Sequence, residues 1–358
     1  MKNLILFILY SVCSLNISFS QIDSLKINFN EEKVLLFGET HNVLENYEIK
    51  KKLITRLIAE YEGKVNVLFE YPVSLEYFIN KLNNYGDSTG IVNYFNNIYN
   101  EKSEPSNYFL FIKEFIYTLC NNNYNKKFEF HCVDIEKHLR ALLFSCHNIL
   151  YKYNQNDCIN KHFLFLDSLL CKHKLANTDF IVYENRFRKP LIENKEFFKK
   201  IILDSSDYYY FFEIIKHPIQ INDFDKRENI IFENCIEVLK NNYLSIGFFG
   251  SAHINKFYSD SIKSINVNKS LGFLLNTRNE SFVKNKVKSI LIINYKYNNT
   301  IRKLFTIFNK EEMAFFSNLC KSKNSIIINP NYYNFSFATK AYDFIIFIDN
   351  ATKIETYY

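Results

Sequence analysis

The sequence has no tryptophan and only 7 glycines and 5 prolines in 358 residues. No Pro/Gly-rich segment interrupts it, so the sequence marks no linker between domains. No block of Lys and Arg alternates with aromatic residues, and 44 basic against 38 acidic residues leave a net charge of +6. These absences argue against a nucleic-acid-binding protein. With 47% hydrophobic residues, the chain has enough apolar side chains for a sizeable globular core.

The 8 cysteines include no C-x-x-C pair, which argues against a zinc knuckle. If a disulfide forms, Cys158 and Cys171 are the first pair to test. The alternative is that most cysteines are buried, unpaired small hydrophobes.

The N-terminus has the features of a secretory signal peptide. Lys2 precedes an apolar run from Leu4 to Leu15, and Ser18-Phe19-Ser20 has small residues at the spacing of a cleavage site. This pattern predicts removal of residues 1–20, cleavage before Gln21, and an exported protein, periplasmic or secreted. The alternatives are a buried helix or a membrane anchor, but the run is shorter than the ~20 residues that span a bilayer. No later stretch is long and apolar enough to do so.

The segment Lys33–Asn42 predicts a buried strand that ends in polar side chains. Four apolar residues lead into Gly38, which would let the backbone turn, and Glu39 and His41 follow. In α/β proteins the carboxyl ends of strands carry the chemistry, so Glu39 and His41 are candidate active-site residues. The alternative is a loop with a surface Glu and a packed His.

Two further predicted strands end in acids. A helix over 46–61 connects the first strand to Val65–Phe69, which ends at Glu70, and Phe128–Val133 ends at Asp134. A strand–helix–strand unit favours parallel pairing with a right-handed crossover. The pattern therefore predicts an α/β fold with a mainly parallel central sheet flanked by helices. Asp134 is a candidate for substrate binding and also for the N-cap of a helix that starts at Ile135.

From about 137 to 240 the pattern is helical, which predicts a large helical insertion within a single domain covering 21–358. Near its end, Arg227, Glu228 and Asn234 lie on neighbouring faces of one helix. Arg227 is a candidate catalytic residue there, and Glu228 and Asn234 are candidates for substrate binding. The alternative is a solvated helix with Arg227 in an ion pair.

A second apolar strand, Tyr243–Phe249, leads into Gly250-Ser251-Ala252-His253 and repeats the opening arrangement. Further strands are predicted over Lys288–Tyr295, Ser325–Ile328 and Asp343–Asp349. Parallel strands would bring the candidate residues to one rim of the sheet: Glu39, His41, Glu70, Asp134 and His253. Carboxylates and imidazoles in one cleft suit acid–base catalysis or a divalent metal.

The motifs, in order, resemble the erythromycin-esterase-like and ChaN-like (haem-uptake) superfamily. They are Gly38-Glu39-Thr40-His41, Phe69-Glu70-Tyr71-Pro72, Val133-Asp134-Ile135, Arg227-Glu228-x-x-Ile231-x-x-Asn234, Gly250-Ser251-Ala252-His253-Ile254 and Tyr342 to Ile348. The resemblance implies an α/β fold and, in the esterase branch, a Glu/His site that activates water without a metal. Esterases show Gly-Glu-x-x-His-Gly, whereas one residue separates Glu39 from His41 here, as in the haem-binding branch.

The sequence thus favours an exported hydrolase of ester or similar acyl bonds, acting on a small-molecule substrate. Its predicted catalytic residues are Glu39, His41, Glu70, Arg227 and His253, with no cofactor. One alternative is a metal-dependent hydrolase or protease that uses His41, His253, Glu39 and Glu70 as ligands. Another is a protein that binds haem or another small ligand without turnover.

Overall fold

The structure is a computed structural model of the chain. It describes residues 31–41, 43–98, 107–123, 126–172, 175–216, 223–256, 269–279, 282–297, 300–301, 308–320, 325–333, 335–336 and 339–351. The predicted signal peptide lies outside these residues.

The strands are β1 (Val34–Glu39), β2 (Val65–Pro72), β3 (Phe128–Asp134), β4 (Leu244–Gly250), β5 (Val287–Tyr297), β6 (Thr300–Ile301), β7 (Ser325–Ile328) and β8 (Phe344–Ala351). The helices are α1 (Leu44–Glu60), α2 (Val73–Tyr85), α3 (Thr89–Ile98), α4 (Asn107–Asn121), α5 (Leu139–Tyr151), α6 (Asp157–Leu170), α7 (Asn177–Tyr183), α8 (Lys189–Glu193), α9 (Lys195–Lys199), α10 (Ser205–Lys216), α11 (Phe224–Leu239), α12 (Leu271–Thr277) and α13 (Lys310–Cys320). A π-helical turn spans Glu184–Arg188, and short 3₁₀ turns span Ser251–His253, Pro330–Tyr332 and Thr339–Ala341.

The chain divides into two compact units. The first contains the described residues up to Gly63 and from Leu244 onward, and the second runs from Lys64 to Tyr243. The first unit is a sheet in the order β4-β1-β5-β8-β7. Its pairs are parallel, except that β7 is antiparallel to β8 and the short β6 is antiparallel to β5. This confirms the predicted α/β architecture with a mainly parallel sheet.

Strand β1 is buried along its whole length, which agrees with its continuous apolar sequence. It pairs in parallel with β4, and Glu39 lies opposite Gly250 at the carboxyl ends. The first turn after β1 leads into α1, whose buried residues Ile49, Leu53 and Leu57 recur at helical spacing.

Gly38 serves close packing in this unit rather than the predicted turn. It lies within β1. A Cβ atom placed on it would come within 2.5 Å of the Ile254 side chain and 3.1 Å of the Ser251 backbone. The absent side chain is therefore what lets the turn after β4 pack against β1.

The second unit contains the parallel pair β2–β3 and most of the helices. Val65 pairs with Phe128, and Pro72 with Asp134, with an irregularity between Phe69 and Pro72. Helices α5 to α11 follow one another between β3 and β4, and the described residues of this stretch include no strand. This confirms the predicted helical insertion.

The structure corrects two sequence predictions in this unit. Asp134 does not cap a helix beginning at Ile135, because α5 begins at Leu139 and the backbone N–H groups of Lys137 and His138 are bound by Glu136. Cys158 and Cys171 are both exposed, free thiols. They lie near opposite ends of α6, and thirteen residues of helix span about 20 Å, too far for a disulfide.

None of the described helices combines the length and apolarity that crossing a membrane requires.

Candidate functional site

The first polar group of the fold is built around Glu39, the last residue of β1. Its side chain is only 6% exposed. Its Oε1 accepts a hydrogen bond from Lys50 Nζ at 2.7 Å, and the Lys50 side chain is itself 8% exposed. Lys50 also lies over the rings of Tyr47 and Phe248, 4.8 and 5.3 Å from their centroids. Two aromatic faces and a carboxylate therefore stabilise this buried ammonium.

This environment fixes the charge of Glu39. Burial raises the pKa of its carboxyl group, but the charge of Lys50 and the hydrogen bond and charge of His41 lower it more, so the pKa falls below its ordinary value. Glu39 is consequently a carboxylate at neutral pH. Its second oxygen, Oε2, is buried and accepts no hydrogen bond from any residue that the structure describes. A charged oxygen in that state is costly, and such orphaned groups occur at functional sites more often than elsewhere.

His41 lies two residues beyond Glu39, with its Nδ1 3.6 Å from Glu39 Oε1. Its side chain is 47% exposed, so the imidazole extends from a buried carboxylate to the surface. The backbone of the intervening Thr40 is held by Asn46 of α1, whose Nδ2 donates to the Thr40 carbonyl at 2.6 Å. Asn294 of β5 in turn donates to Asn46 Oδ1 at 3.4 Å. The loop that carries His41 is thus anchored to the helix after it.

His253 lies at the same sheet edge of this unit. The 3₁₀ turn Ser251–His253 follows β4 directly, and the parallel register places the end of β4 beside Glu39. The side chain of His253 is 4% exposed, and its ring lies 6.2 Å from that of Phe249. Glu39, His41 and His253 thus lie at one edge of the first unit, and His253 is the buried member.

The second polar group lies in the other unit and is organised by Arg227 of α11. The guanidinium donates from Nε and Nη2 to the two oxygens of Asp134 at 2.8 and 2.6 Å. The same Nη2 donates to Glu70 Oε1 at 2.7 Å. Lys137 lies 2.8 Å from Asp134 Oδ2 and 3.9 Å from Glu70 Oε1. These two carboxylates and two cations form one network at the ends of β2 and β3.

The network sets the ionisation of its members. Burial raises the pKa of Asp134, yet the hydrogen bond from Arg227 and the charges of Lys137 and Arg227 bring it below its ordinary value. For Arg227, burial lowers the pKa, and the bonds to Asp134 and Glu70 more than offset this and raise it. Asp134 and Arg227 are therefore both charged, and the guanidinium is committed to carboxylates.

The two other predicted residues of α11 also lie in this unit. Asn234 donates from Nδ2 to the carbonyl of Val133 at 2.9 Å, which ties α11 to β3. Glu228 is completely buried. Their contribution to substrate binding stays a prediction.

Solved structures resemble this chain over nearly its whole length. An erythromycin esterase mutant, EreC in its open conformation, aligns with 93% of this chain and 94% of its own, with a TM-score of 0.61 and 12% identity. A succinoglycan biosynthesis protein aligns with 91% of this chain and 90% of its own, with a TM-score of 0.57 and 12% identity. The chain has the erythromycin-esterase-like fold. At this low identity the structural likeness establishes the fold alone. The activity has to be argued from the residues of the site.

ChaN of Campylobacter jejuni, with cofacially bound haem, aligns with 89% of this chain and 88% of its own at 11% identity, and the TM-score is 0.36. No protein-family model matches the sequence, and no curated protein matches it either.

The described polar residues offer no ready-made site for a divalent metal ion. No three His, Cys, Asp or Glu side chains among them are grouped as one ion would require. The Lys50 ammonium, bound to Glu39 Oε1, also places a positive charge beside the carboxylate that a cation would use. The metal-dependent alternative is therefore left to a measurement of metal content.

Sequence reasoning misses two charged residues of these groups. Lys50 opens the run Lys50-Lys51-Lys52, which is typical of a solvated helix face, yet Lys50 is buried. Its position eleven residues after Glu39, on the inner face of the following helix, is the only sequence signal. The sequence pattern places Lys137 in a helix, but that helix begins two residues later, at Leu139.

Proposed function

We propose that this chain is an exported hydrolase of ester or related acyl bonds, in which Glu39 and His41 activate water. One observation carries the proposal: a buried, ionised Glu39 lies at the carboxyl end of a central parallel strand, next to a half-exposed imidazole. A carboxylate that orients a histidine is the arrangement that general-base catalysis requires.

We assign a role to each nitrogen of His41. A carboxylate facing Nδ1 favours the tautomer with its proton on Nδ1, so Nε2 is the basic nitrogen. In the proposed step, Nε2 takes a proton from water and the resulting hydroxide attacks the acyl carbon. The ester C–O bond then breaks, and the departing alkoxide takes the proton from Nε2 and leaves as an alcohol. Glu39 stabilises the imidazolium that forms. The 3.6 Å separation of Nδ1 and Oε1 is longer than a good hydrogen bond, as is common before substrate binds.

Lys50 makes this pair possible, because it keeps Glu39 charged in a buried setting. Glu39 Oε2, which accepts no hydrogen bond from the described part of the chain, is the atom we assign to a substrate hydroxyl or to the attacking water. Burial on one side and exposure of His41 on the other give the pair a protected carboxylate and an accessible base.

The other predicted residues receive supporting roles. We assign His253, which is buried at the same edge of its unit, to positioning substrate. The sequence predicts that Arg227 stabilises an oxyanion, but its Nε and Nη2 bind Asp134 and Glu70. We therefore propose that it positions these carboxylates and does not touch the acyl group.

The test is a hydrolysis screen of purified protein against p-nitrophenyl esters of graded acyl length, with His41→Ala as the deciding variant. Loss of general-base assistance lowers kcat by about 10²–10⁴-fold. Because His41 is half-exposed, the variant should unfold at an unchanged temperature. His147→Gln, which changes a histidine of the insertion, is the matched control and should keep full activity. Full activity in His41→Ala would remove this pair from the mechanism.

The remaining alternatives have separate readouts. Stoichiometric metal in the purified protein, with activity lost to a chelator, would favour the metal-dependent hydrolase over the proposal. A visible absorption band on haem titration, without hydrolysis of any ester, would favour a binding protein.

Export is tested on the N-terminus. The full-length chain, expressed in a Gram-negative host, should appear in the periplasm or medium with an N-terminal sequence that starts at Gln21. An intact Met1 in the cell extract would contradict the predicted signal peptide.

A further inference from the structure

A cavity of about 290 Å³ lies in the second unit, against the edge of β3. Its lining includes Phe130 and His131 of β3 together with Glu76 of α2 and Tyr210 of α10. The volume is close to the lower end of the range for small-molecule sites.

The backbone of β3 presents its edge to this cavity. Val65 of β2 donates to the Lys127 carbonyl, so the odd-numbered residues of β3 face β2 and the even-numbered ones face away. Phe128, Phe130 and Cys132 therefore have their N–H and C=O groups on the free edge. Each such group requires a partner if it is removed from water.

Side chains of the protein form hydrogen bonds with this edge at two of the three residues. The Asn123 side-chain amide binds Phe128 on both sides: Oδ1 accepts from the Phe128 N–H at 2.8 Å, and Nδ2 donates to its carbonyl at 2.9 Å. Glu76 Oε2 accepts from the Cys132 N–H at 2.6 Å. Among the described residues no group binds the outward N–H or C=O of Phe130, which lies between these two positions.

Two other lining residues, His131 and Lys126, carry further polar groups. His131 Nε2 is buried and has no hydrogen-bond partner among the described residues. Lys126 is exposed at the mouth, and no described carboxylate pairs with it, whereas its neighbour in the lining, Lys64, pairs with Glu129 at 2.8 Å. The lining therefore offers a ligand an adjacent N–H and C=O and one ammonium.

We propose that this cavity binds a small molecule that carries an amide and a carboxylate, such as an N-acylamino acid. The amide pairs with the N–H and C=O of Phe130, in the way the Asn123 amide pairs with Phe128 two residues earlier. The carboxylate lies at Lys126. This is strand-edge recognition by a small ligand, and it is independent of the hydrolase proposed above.

A sequence feature makes the contact directly observable. His131 is the only one of the 8 histidines preceded by Phe. Protein labelled with ¹³C-carbonyl Phe and ¹⁵N-His therefore gives one HNCO cross-peak, which reports the Phe130 carbonyl carbon. Titration with N-acetylglycine should move this carbon downfield in a saturable manner, with a Kd on the order of 1 mM because so small a ligand makes few contacts.

Variants identify the contacts. Lys126→Asn keeps a residue that tolerates the positive φ of 49° found there. The variant should lower the affinity for N-acetylglycine by about two- to fivefold, as expected for the loss of an exposed ion pair. Its affinity for the uncharged N-acetylglycinamide should be unchanged. The control Lys161→Asn changes an exposed residue of the insertion that does not line the cavity. It should leave the affinity for both ligands unchanged.

Three results would overturn the proposal: no shift of the Phe130 carbon at tens of millimolar N-acetylglycine, an equal shift with acetate, which lacks the amide, or a shift that follows protein concentration rather than ligand. The last would identify a second copy of the chain at this edge.

Discussion

Lys50 Nζ lies 2.7 Å from Glu39 Oε1, and both side chains are more than nine-tenths buried. A buried pair of this kind adds little net stability compared with apolar residues, but loss of one partner leaves an uncompensated charge. Glu39 thus depends on Lys50 for its charge, and the proposed base His41 depends on Glu39.

Lys50→Met should lower the free energy of unfolding at pH 7 by about 3–5 kcal/mol, because it strands the Glu39 carboxylate. Without the charge of Lys50, burial raises the pKa of Glu39. The loss of unfolding free energy should therefore be smaller at acidic pH, where the carboxyl group takes up a proton. In the unchanged protein the pKa is lowered. The stabilisation is therefore present above the ordinary pKa and is lost as pH falls through the lowered value.

Urea denaturation at neutral and acidic pH measures both effects. The double variant Glu39→Gln/Lys50→Met should recover much of the lost stability. An equal loss in the single and double variants would show that Lys50 acts through packing alone.

Arg227→Met should destabilise the second unit by about 3–5 kcal/mol, since Asp134 and Glu70 share its Nη2 and would keep only the half-exposed Lys137 as a cation. Arg186→Met removes an exposed arginine and should stay within about 0.5 kcal/mol of the unchanged protein. Denaturant titrations of both variants provide the comparison.

Adding Asp134→Asn to Arg227→Met should restore part of the stability, because only one buried charge remains. If the double variant is less stable than Arg227→Met, charge repulsion is not the cause. If the folded Asp134→Asn variant retains hydrolysis, the network around Arg227 has only a structural function.

Two buried carboxyl groups should contribute stability that falls as pH rises from about 5 to about 7.5, because they bind protons more tightly in the folded state. Burial raises the pKa of Glu76 to about 7, despite hydrogen bonds from Cys132 and Tyr210. Burial likewise raises the pKa of Glu136 to about 7, despite the hydrogen bond from Ser74. Their contribution is complete below the ordinary carboxyl pKa and is lost as pH rises through about 7.

Each carboxyl group should contribute on the order of 1–3 kcal/mol to this slope. Glu76→Gln and Glu136→Gln should each flatten the plot of unfolding free energy against pH, as measured by urea denaturation across this range. A slope unchanged in both variants would assign the pH dependence to other groups.

Gly38→Ala should destabilise the first unit by about 1–3 kcal/mol, because the new methyl group meets the Ile254 side chain at 2.5 Å and the backbone of Ser251 at 3.1 Å. Ile254→Ala removes the closer obstacle but creates a cavity. The methyl group added by Gly38→Ala would partly fill that cavity, so the double variant should lose less than the sum of the single losses. Thermal unfolding of the three variants measures this coupling, and strict additivity would contradict it.

Strand ends were predictable from sequence, and the pairing of charges was not. The run Val34 to Phe37 predicts a buried strand because every residue is apolar, and Glu39 follows as its last residue. The bond from Arg227 to Glu70 joins residues 157 positions apart, and no local pattern indicates it.

Local rules also competed with one another in this chain. Asp134 preceding Ile135-Glu136-Lys137 is a good helix-start signal, yet Asp134 is drawn to Arg227 and the helix begins at Leu139. Gly38 is typical of a turn, but its function depends on a side chain, Ile254, from a distant segment. In both cases tertiary contacts outweigh local preference.

The described cysteines all carry free thiols, although the N-terminus predicts export. Cys132 and Cys146 are buried, and burial raises the pKa of both, which makes them unreactive. Covalent cross-links thus hold no part of the described fold together. A leaderless version produced in a reducing cytoplasm should therefore yield the native molecule, and replacing the two exposed thiols Cys158 and Cys171 by serine would remove the main sites of oxidative cross-linking during storage.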